Sequence, residues 1–361
     1  MDAIKAAVIG VGALGRHHAR ILANMDGVEL VAVADTNIGA ARQIADQHGC
    51  EATTNYRELL GRVDAISIAA PTILHQKIAI DCLNAGVPIL VEKPLAAKID
   101  AARAIIERAE QTGLVLAVGH VERFNPAYQT MRELAGRPRY IRTERVSPFA
   151  FRSTDIGAVH DLMIHDLDLV LDLTGSRVAR VEAFGASLLG RQEDVATARL
   201  GFENGCVADL VVNRVNPVAG RTIQVWSETG CTSADLTSRQ VDRVAPSDEL
   251  RRGGGPLTRA TRPGARIEQL KQEMFTRDFV CETAEVSDAD ALTAELTDFV
   301  DCCRTGARPR VGGPEALAAL AVADRVLTCI DRHQWDGHAE GLTGPMAWWP
   351  TPMDVPRRKA A

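Results

Sequence analysis

Gly10-Val11-Gly12-Ala13-Leu14-Gly15 follows a short apolar run, Lys5–Ile9, and opens a segment of helical spacing, Ala13–Met25. Glycines at this spacing, between a strand and a helix, leave the chain few choices. The first permits a tight turn, the second lets the backbone approach a diphosphate, and the third allows close helix–strand packing. The helix N-terminus adds N–H groups and a partial positive charge for phosphates. The alternation then continues. Val28–Ala34, Ala65–Ala70, Ile89–Val91 and Leu114–Val118 read as strands rich in β-branched residues, and Ile38–His48, Leu74–Ala85 and Asp100–Gln111 as helices. Gly49, Gly86 and Gly113 fall just past three of the helices, where C-caps are expected. Alternating strands and helices predict a doubly wound parallel sheet, a Rossmann-type α/β domain.

Asp35 ends the second strand, where an acid accepts hydrogen bonds from ribose hydroxyls. It would repel a 2′-phosphate, and no arginine follows it immediately, so the expected cofactor is NAD rather than NADP. Its contacts are expected at Gly10, Gly12, Ala13, Leu14, Gly15 and Asp35.

The pattern then changes. One long helical stretch, Gly157–Thr174, precedes the strand-like segments Val178–Ser187, Val195–Phe202, Cys206–Asn213 and Thr222–Ser227. Consecutive strands predict an α+β domain with a large, mostly antiparallel sheet, open on one face. Ser247–Gly264, rich in Arg, Gly and Pro, reads as a surface loop, and Ala289–Thr305 and Pro314–Asp331 read as helices. The expected division is 1–122, 123–334 and a tail, 335–361, whose Trp335, Trp348 and Trp349 pack by aromatic contacts.

Composition limits the partners. A net charge of −6 provides no basic field for nucleic acid or anionic lipid, and no apolar run is long enough to cross a bilayer. The apolar N-terminal run leads straight into the glycine loop and reads as a strand, not a signal peptide. Eight scattered cysteines without a Cys-x-x-Cys pair suit free thiols in a reducing cytoplasm.

Two segments carry chemistry. Glu92-Lys93-Pro94 ends a strand at the carboxyl edge of the parallel sheet, where ligands bind. A lysine there can hydrogen-bond a hydroxyl and favour a developing alkoxide. On the long helix, Asp161, His165, Asp168 and Asp172 are spaced 4, 3 and 4 apart, a polar stripe on an otherwise apolar helix. It reads either as a face lining a cleft or as an ordinary wet face. In the first case His165 is the natural proton acceptor, and Asp161, one turn earlier, orients it or bonds substrate. The Asp/His spacing is permissive for zinc, but no convincing third ligand follows, so no metal is expected.

These motifs, in order, resemble the glucose–fructose oxidoreductase / inositol dehydrogenase / MocA family. The resemblance rests on Val8-Ile9-Gly10-Val11-Gly12-Ala13-Leu14-Gly15, Ala70-Pro71-Thr72-Ile73-Leu74-His75, Val91-Glu92-Lys93-Pro94-Leu95, Asp161-x-x-x-His165-Asp166 and Glu295-Leu296-Thr297-Asp298-Phe299-Val300. It implies a sugar dehydrogenase with Lys93 catalytic and Asp161 and His165 in the substrate site. It also implies that Ala70, Pro71, Thr72, His75, Glu92 and Lys93 lie beside the cofactor. Met163 stands where the family often has glycine, so the resemblance does not carry over a sugar-alcohol substrate. Gly119-His120-Val121-Glu122-Arg123-Phe124-Asn125-Pro126 resembles the branch that acts at C3 of UDP-N-acetylglucosamine or its uronic acid relative, with Arg123 and Asn125 open to a substrate role or a crossover role. An inositol or free-sugar dehydrogenase, an NAD-dependent glycosidase and a silent NAD sensor stand as alternatives. Homodimers or homotetramers are expected by resemblance.

Overall fold

The computed structural model describes residues 3–151, 156–338 and 341–348. In chain order the first elements are β1 (Ile4–Ile9), α1 (Gly15–Ala23), β2 (Val28–Ala34), α2 (Ile38–His48), β3 (Glu51–Thr53), β4 (Ala65–Ile68), α3 (Thr72–Asn84), β5 (Ile89–Glu92), α4 (Ile99–Thr112) and β6 (Leu116–Gly119). Then come α5 (Pro126–Leu134), β7 (Pro138–Val146), α6 (Ile164–Thr174), β8 (Val178–Ala186), β9 (Val195–Phe202), β10 (Val207–Asn213), β11 (Gly220–Ser227), β12 (Gly230–Asp235) and β13 (Gln240–Pro246). The last are α7 (Asp248–Arg251), α8 (Pro256–Ala260), α9 (Ile267–Glu273), β14 (Phe279–Ala284), α10 (Ala291–Thr305) and α11 (Gly313–Arg332).

The chain forms two compact units, residues 1–124 with 289–321, and 125–288 with 322–361. In the first, six parallel strands run in the order β3-β2-β1-β4-β5-β6. This is the dinucleotide-binding order, and its switch point lies between β1 and β4, at the glycine loop. Alternate residues of β1 enter opposite cores. Ala7 and Ile9 join the side covered by α3 and α4, while Ala6 and Val8 join the side of α1 and α2. Burial on both faces explains why the strands read as continuous apolar runs. Residues 289–321, which the sequence reading assigned to the second region, return here, because Leu296, Phe299 and Val300 of α10 complete the α1 side of the core.

The second unit holds an eight-stranded sheet, β14-β13-β12-β11-β7-β10-β9-β8, antiparallel except for the β7–β10 pair. One face is covered by the helix carrying Asp161 and His165, which packs on β7 and β10. The opposite face carries Tyr140 and the exposed Trp226, with ring centroids 5.2 Å apart. The expected loop 247–264 instead contains α7 and α8. It is anchored by a buried pair, Arg259 Nη2 to Asp278 Oδ2 at 2.7 Å. The tail begins as expected, with Trp335 packed edge-on against His333 and Phe184. Trp349 lies outside the described residues, and so does the rest of the chain beyond it.

Candidate active site

The three loop glycines answer to different constraints. Gly10 has φ +86°, and a Cβ there would stand 2.7 Å from the Ala69 carbonyl. A Cβ on Gly15 would stand 1.8 Å from the Gly10 oxygen. Gly12 meets nothing within 4 Å, so no protein atom requires glycine there. A dinucleotide's phosphates do, since they need that open space for close backbone approach. The helix behind the loop has no side-chain cap at Leu14 and keeps its N-terminus for a ligand. Asp35 helps to build this cradle. Its Oδ2 accepts from Val11 N and its Oδ1 from Asn37 N, both at 2.9 Å. A carboxylate has acceptor capacity left for ribose hydroxyls after these two bonds. The residues present therefore fit an NAD-type dinucleotide.

Lys93 follows β5 directly, at the carboxyl edge of the sheet, and is half-buried. The Lys93–Pro94 bond is cis. His75, on α3, ties this turn to the preceding one, with Nδ1 3.0 Å from the Pro94 oxygen and Nε2 2.8 Å from the Ala70 oxygen. Burial lowers its pKa, and these carbonyls only partly offset it. Glu92 is buried as well, with Oε1 3.0 Å from His18 Nε2 and Oε2 accepting from Lys93 N at 3.2 Å. Burial pushes its carboxyl up, but the contacts with His18 and Lys93 outweigh burial and leave it below the usual carboxylate range. His75 and Glu92, expected beside the cofactor, thus brace the loops from within. Ala70, Pro71 and Thr72 form the entry to α3, and Pro71 is exposed.

In the second unit the expected single helix opens as a π-helical turn, Val159–Met163, before α6. Such wide turns recur at functional sites. Asp161 lies in it and His165 just after it, both partly exposed. Glu193 holds its start, with Oε1 accepting from Val159 N at 2.9 Å. Beside it, Arg214 pairs with Asp194 at 2.8 Å and donates to the Ile156 carbonyl. Ser147, Phe149, Asp161 and Arg214 line a small cavity next to this turn.

The polar stripe does not continue as one open face. Asp168 is buried, and Asp172 accepts from the Tyr128 hydroxyl and pairs with Arg132 at 3.0 Å. Met163 is fully buried, so the side chain that departs from the family's glycine fills core. Asn125 caps α5 by accepting from Ala127 N at 3.0 Å and donates to the Leu236 carbonyl at 3.1 Å, both within the second unit. Arg123 is buried in the short turn after β6.

Sequence reasoning missed His18, Ser67, Glu193 and Arg214. A signal existed for His18 alone, a polar residue on the apolar face of α1 with Ala19, Ile21 and Leu22. Among the described residues, no group of three His, Cys, Asp or Glu could hold a metal ion, and no helix is long and apolar enough to cross a membrane.

Residues 4–120 match a family model described as an oxidoreductase family with an NAD-binding Rossmann fold, and residues 118–233 match the C-terminal domain of the same GFO/IDH/MocA group. The chain is 34% identical to the UDP-N-acetylglucosamine 3-dehydrogenase of Acidithiobacillus ferrooxidans, over 91% of this chain and 97% of that one. The solved structure of that enzyme aligns with a TM-score of 0.80, covering 91% of this chain and 98% of its own. The scyllo-inositol 2-dehydrogenase (NAD(+)) of Bacillus subtilis is 30% identical, over 59% of this chain and 68% of the relative. GenD2 from gentamicin A biosynthesis, solved in complex with NAD, shares the fold with a TM-score of 0.74 at 23% identity, covering 91% of this chain and 94% of its own.

Proposed function

The chain belongs to the GFO/IDH/MocA family of NAD-binding oxidoreductases, and from that premise we propose that it oxidises a nucleotide sugar at C3, with UDP-N-acetylglucosamine or a close relative as substrate. The observation that carries the reading is the similarity to UDP-N-acetylglucosamine 3-dehydrogenase along nearly that enzyme's whole length, and the sequence supplies Lys93, Asp161 and His165 as candidates for the chemistry. NAD, when bound, supplies a hydride acceptor. Gly10, Gly12, Ala13, Leu14, Gly15 and Asp35 hold it, aided by the Ala70-Pro71-Thr72 turn.

The chain's own work is to manage the proton and the charge. His165 takes the hydroxyl proton as general base, and Asp161 orients it. Lys93 stabilises negative charge that develops on the substrate. Arg123 is assigned to the sugar or its phosphates. A homodimer or homotetramer formed through the open sheet face is supported by Tyr140 and Trp226, and a reducing cytoplasm by eight free cysteines.

Replacing Lys93 by Met should lower turnover by more than about 100-fold while NAD binding, read by titration calorimetry, stays near wild type. Full activity in that variant overturns the assignment. NADH formation across UDP-sugars, inositols and free sugars tests the substrate. A strong signal with inositol and none with UDP-sugars would replace the nucleotide sugar by inositol. Turnover without net NADH would make the enzyme a glycosidase.

A further inference from the structure

His18 is completely buried, and its two ring nitrogens bridge two other buried side chains. Nδ1 lies 2.7 Å from Ser67 Oγ, and Nε2 lies 3.0 Å from Glu92 Oε1. The Ser67 hydroxyl can donate to Nδ1, and Nε2 lies at ion-pair distance from the carboxylate. Serine, histidine and carboxylate in this order match a nucleophilic triad. Here the serine is 1% exposed and the histidine 0%, so no substrate reaches either. The chain of contacts leads to Lys93 instead. Glu92 Oε2 accepts from the backbone N–H of Lys93, and the carboxylate lies against Gly119, where a Cβ would come within 3.0 Å of it.

We propose that Ser67, His18 and Glu92 form a buried positioning relay that fixes the turn carrying Lys93 and so aims its ammonium. Ser67 comes from β4, His18 from α1 and Glu92 from β5, so three elements of one core converge on a single peptide unit. A burial this complete removes slack. His18 cannot move without giving up its bond to Ser67 and its contact with the Glu92 carboxylate, which is costly inside a protein. His18, Ser67 and Glu92 are positioning residues, because they act through Lys93. The catalytic consequence rests on the role proposed above for Lys93, whereas the positioning itself does not.

The test uses the full-length enzyme and measures Lys93 directly. An amine-acylating reagent followed by peptide mass spectrometry gives the labelling rate at each lysine, with Lys77 and Lys271 as internal controls. In His18→Leu the rate at Lys93 should rise about threefold or more while the controls stay constant. With UDP-N-acetylglucosamine as probe, kcat should fall about 10- to 100-fold, since an ångström-scale misplacement has that effect. The NAD Kd should stay within about twofold, and His18→Gln, which keeps a donor, should recover most of the loss. Unchanged labelling at Lys93 overturns the proposal. Equal losses in kcat and NAD affinity also overturn it, because His18 would then support only the fold. If His18→Leu does not fold, Ser67→Ala and Gly119→Ala carry the same measurement with the same deciding outcome. If the wild type does not turn over the probe, the substrate reading fails while labelling still decides the relay.

Discussion

The polar residues that the sequence makes legible differ between the two units. In the first, they sit in loops at the carboxyl edge of the sheet: glycines at 10 and 15, which the backbone requires, with aspartate at 35 and lysine at 93. In the second, charged residues are buried in pairs: Arg145 with Asp166, Arg214 with Asp194, and Arg259 with Asp278. A loop signal can be read from spacing. A buried charge looks like surface until its partner is known, because its burial is tolerable only with that partner.

Breaking one such pair should have the largest effect on stability. Arg145 Nη2 is 2.9 Å from Asp166 Oδ1, with both side chains almost wholly buried, and the bond pins α6 to β7 directly beside His165. Arg145→Met leaves the Asp166 carboxylate buried without its guanidinium and should destabilise the protein by about 3–5 kcal/mol. The double variant Arg145→Met/Asp166→Leu should recover most of that, because two apolar side chains need no partner. Urea midpoints with matched slopes check it. A double variant no better than the single one would show that the pair contributes more than its own charge balance.

In the first unit the matching comparison is between two glycines of one loop. Gly15→Ala places a Cβ 1.8 Å from a backbone oxygen and should lower the Tm and NAD affinity together. Gly12→Ala meets open space and should leave the Tm unchanged while NAD affinity falls about tenfold or more. Thermal melts and NAD titrations of the two variants separate these outcomes. Equal Tm losses would mean that the fold, and not the cofactor, requires glycine at 12.

This contrast explains what the sequence could reveal. The β/α alternation, the glycine loop and the Asp161/His165 helix were legible because each follows a local rule of period, cap or turn. β7 was not. Its inward positions are Ile141, Thr143 and Arg145, so the alternation that marks a strand is broken by a charge that only Asp166 makes tolerable. β12, with its small and polar residues, and the mostly exposed edge strand β14 gave no apolar alternation either. The loop 247–264 looked structureless for the same reason as β7, because Arg259 gains its place only from Asp278, far along the chain. In the candidate site, Lys93 and His165 stood out by position. The residues that brace them, His18, Ser67 and Glu193, announce themselves only by whom they touch.

Glu193 sharpens the comparison, a buried acid that accepts from a backbone N–H. Burial pushes its carboxyl above the usual range, and the Val159 N–H and the nearby Arg214 only partly offset it. The sign follows from linkage. An acid whose folded pKa is raised contributes stability that is full below its unfolded value and is lost as pH rises through the folded value. Glu193→Gln imitates the protonated acid and still offers an oxygen to Val159. The variant should therefore match the wild type near pH 4.5 and exceed it at pH 8, with a Tm difference on the order of a few degrees that grows across this window. Melting curves at several pH values decide it. A variant equally destabilised at every pH would mean that Glu193 is held as a carboxylate by Arg214, in the manner of the paired charges around it. The start of the Asp161 turn would then depend on an ion pair and not on a neutral cap.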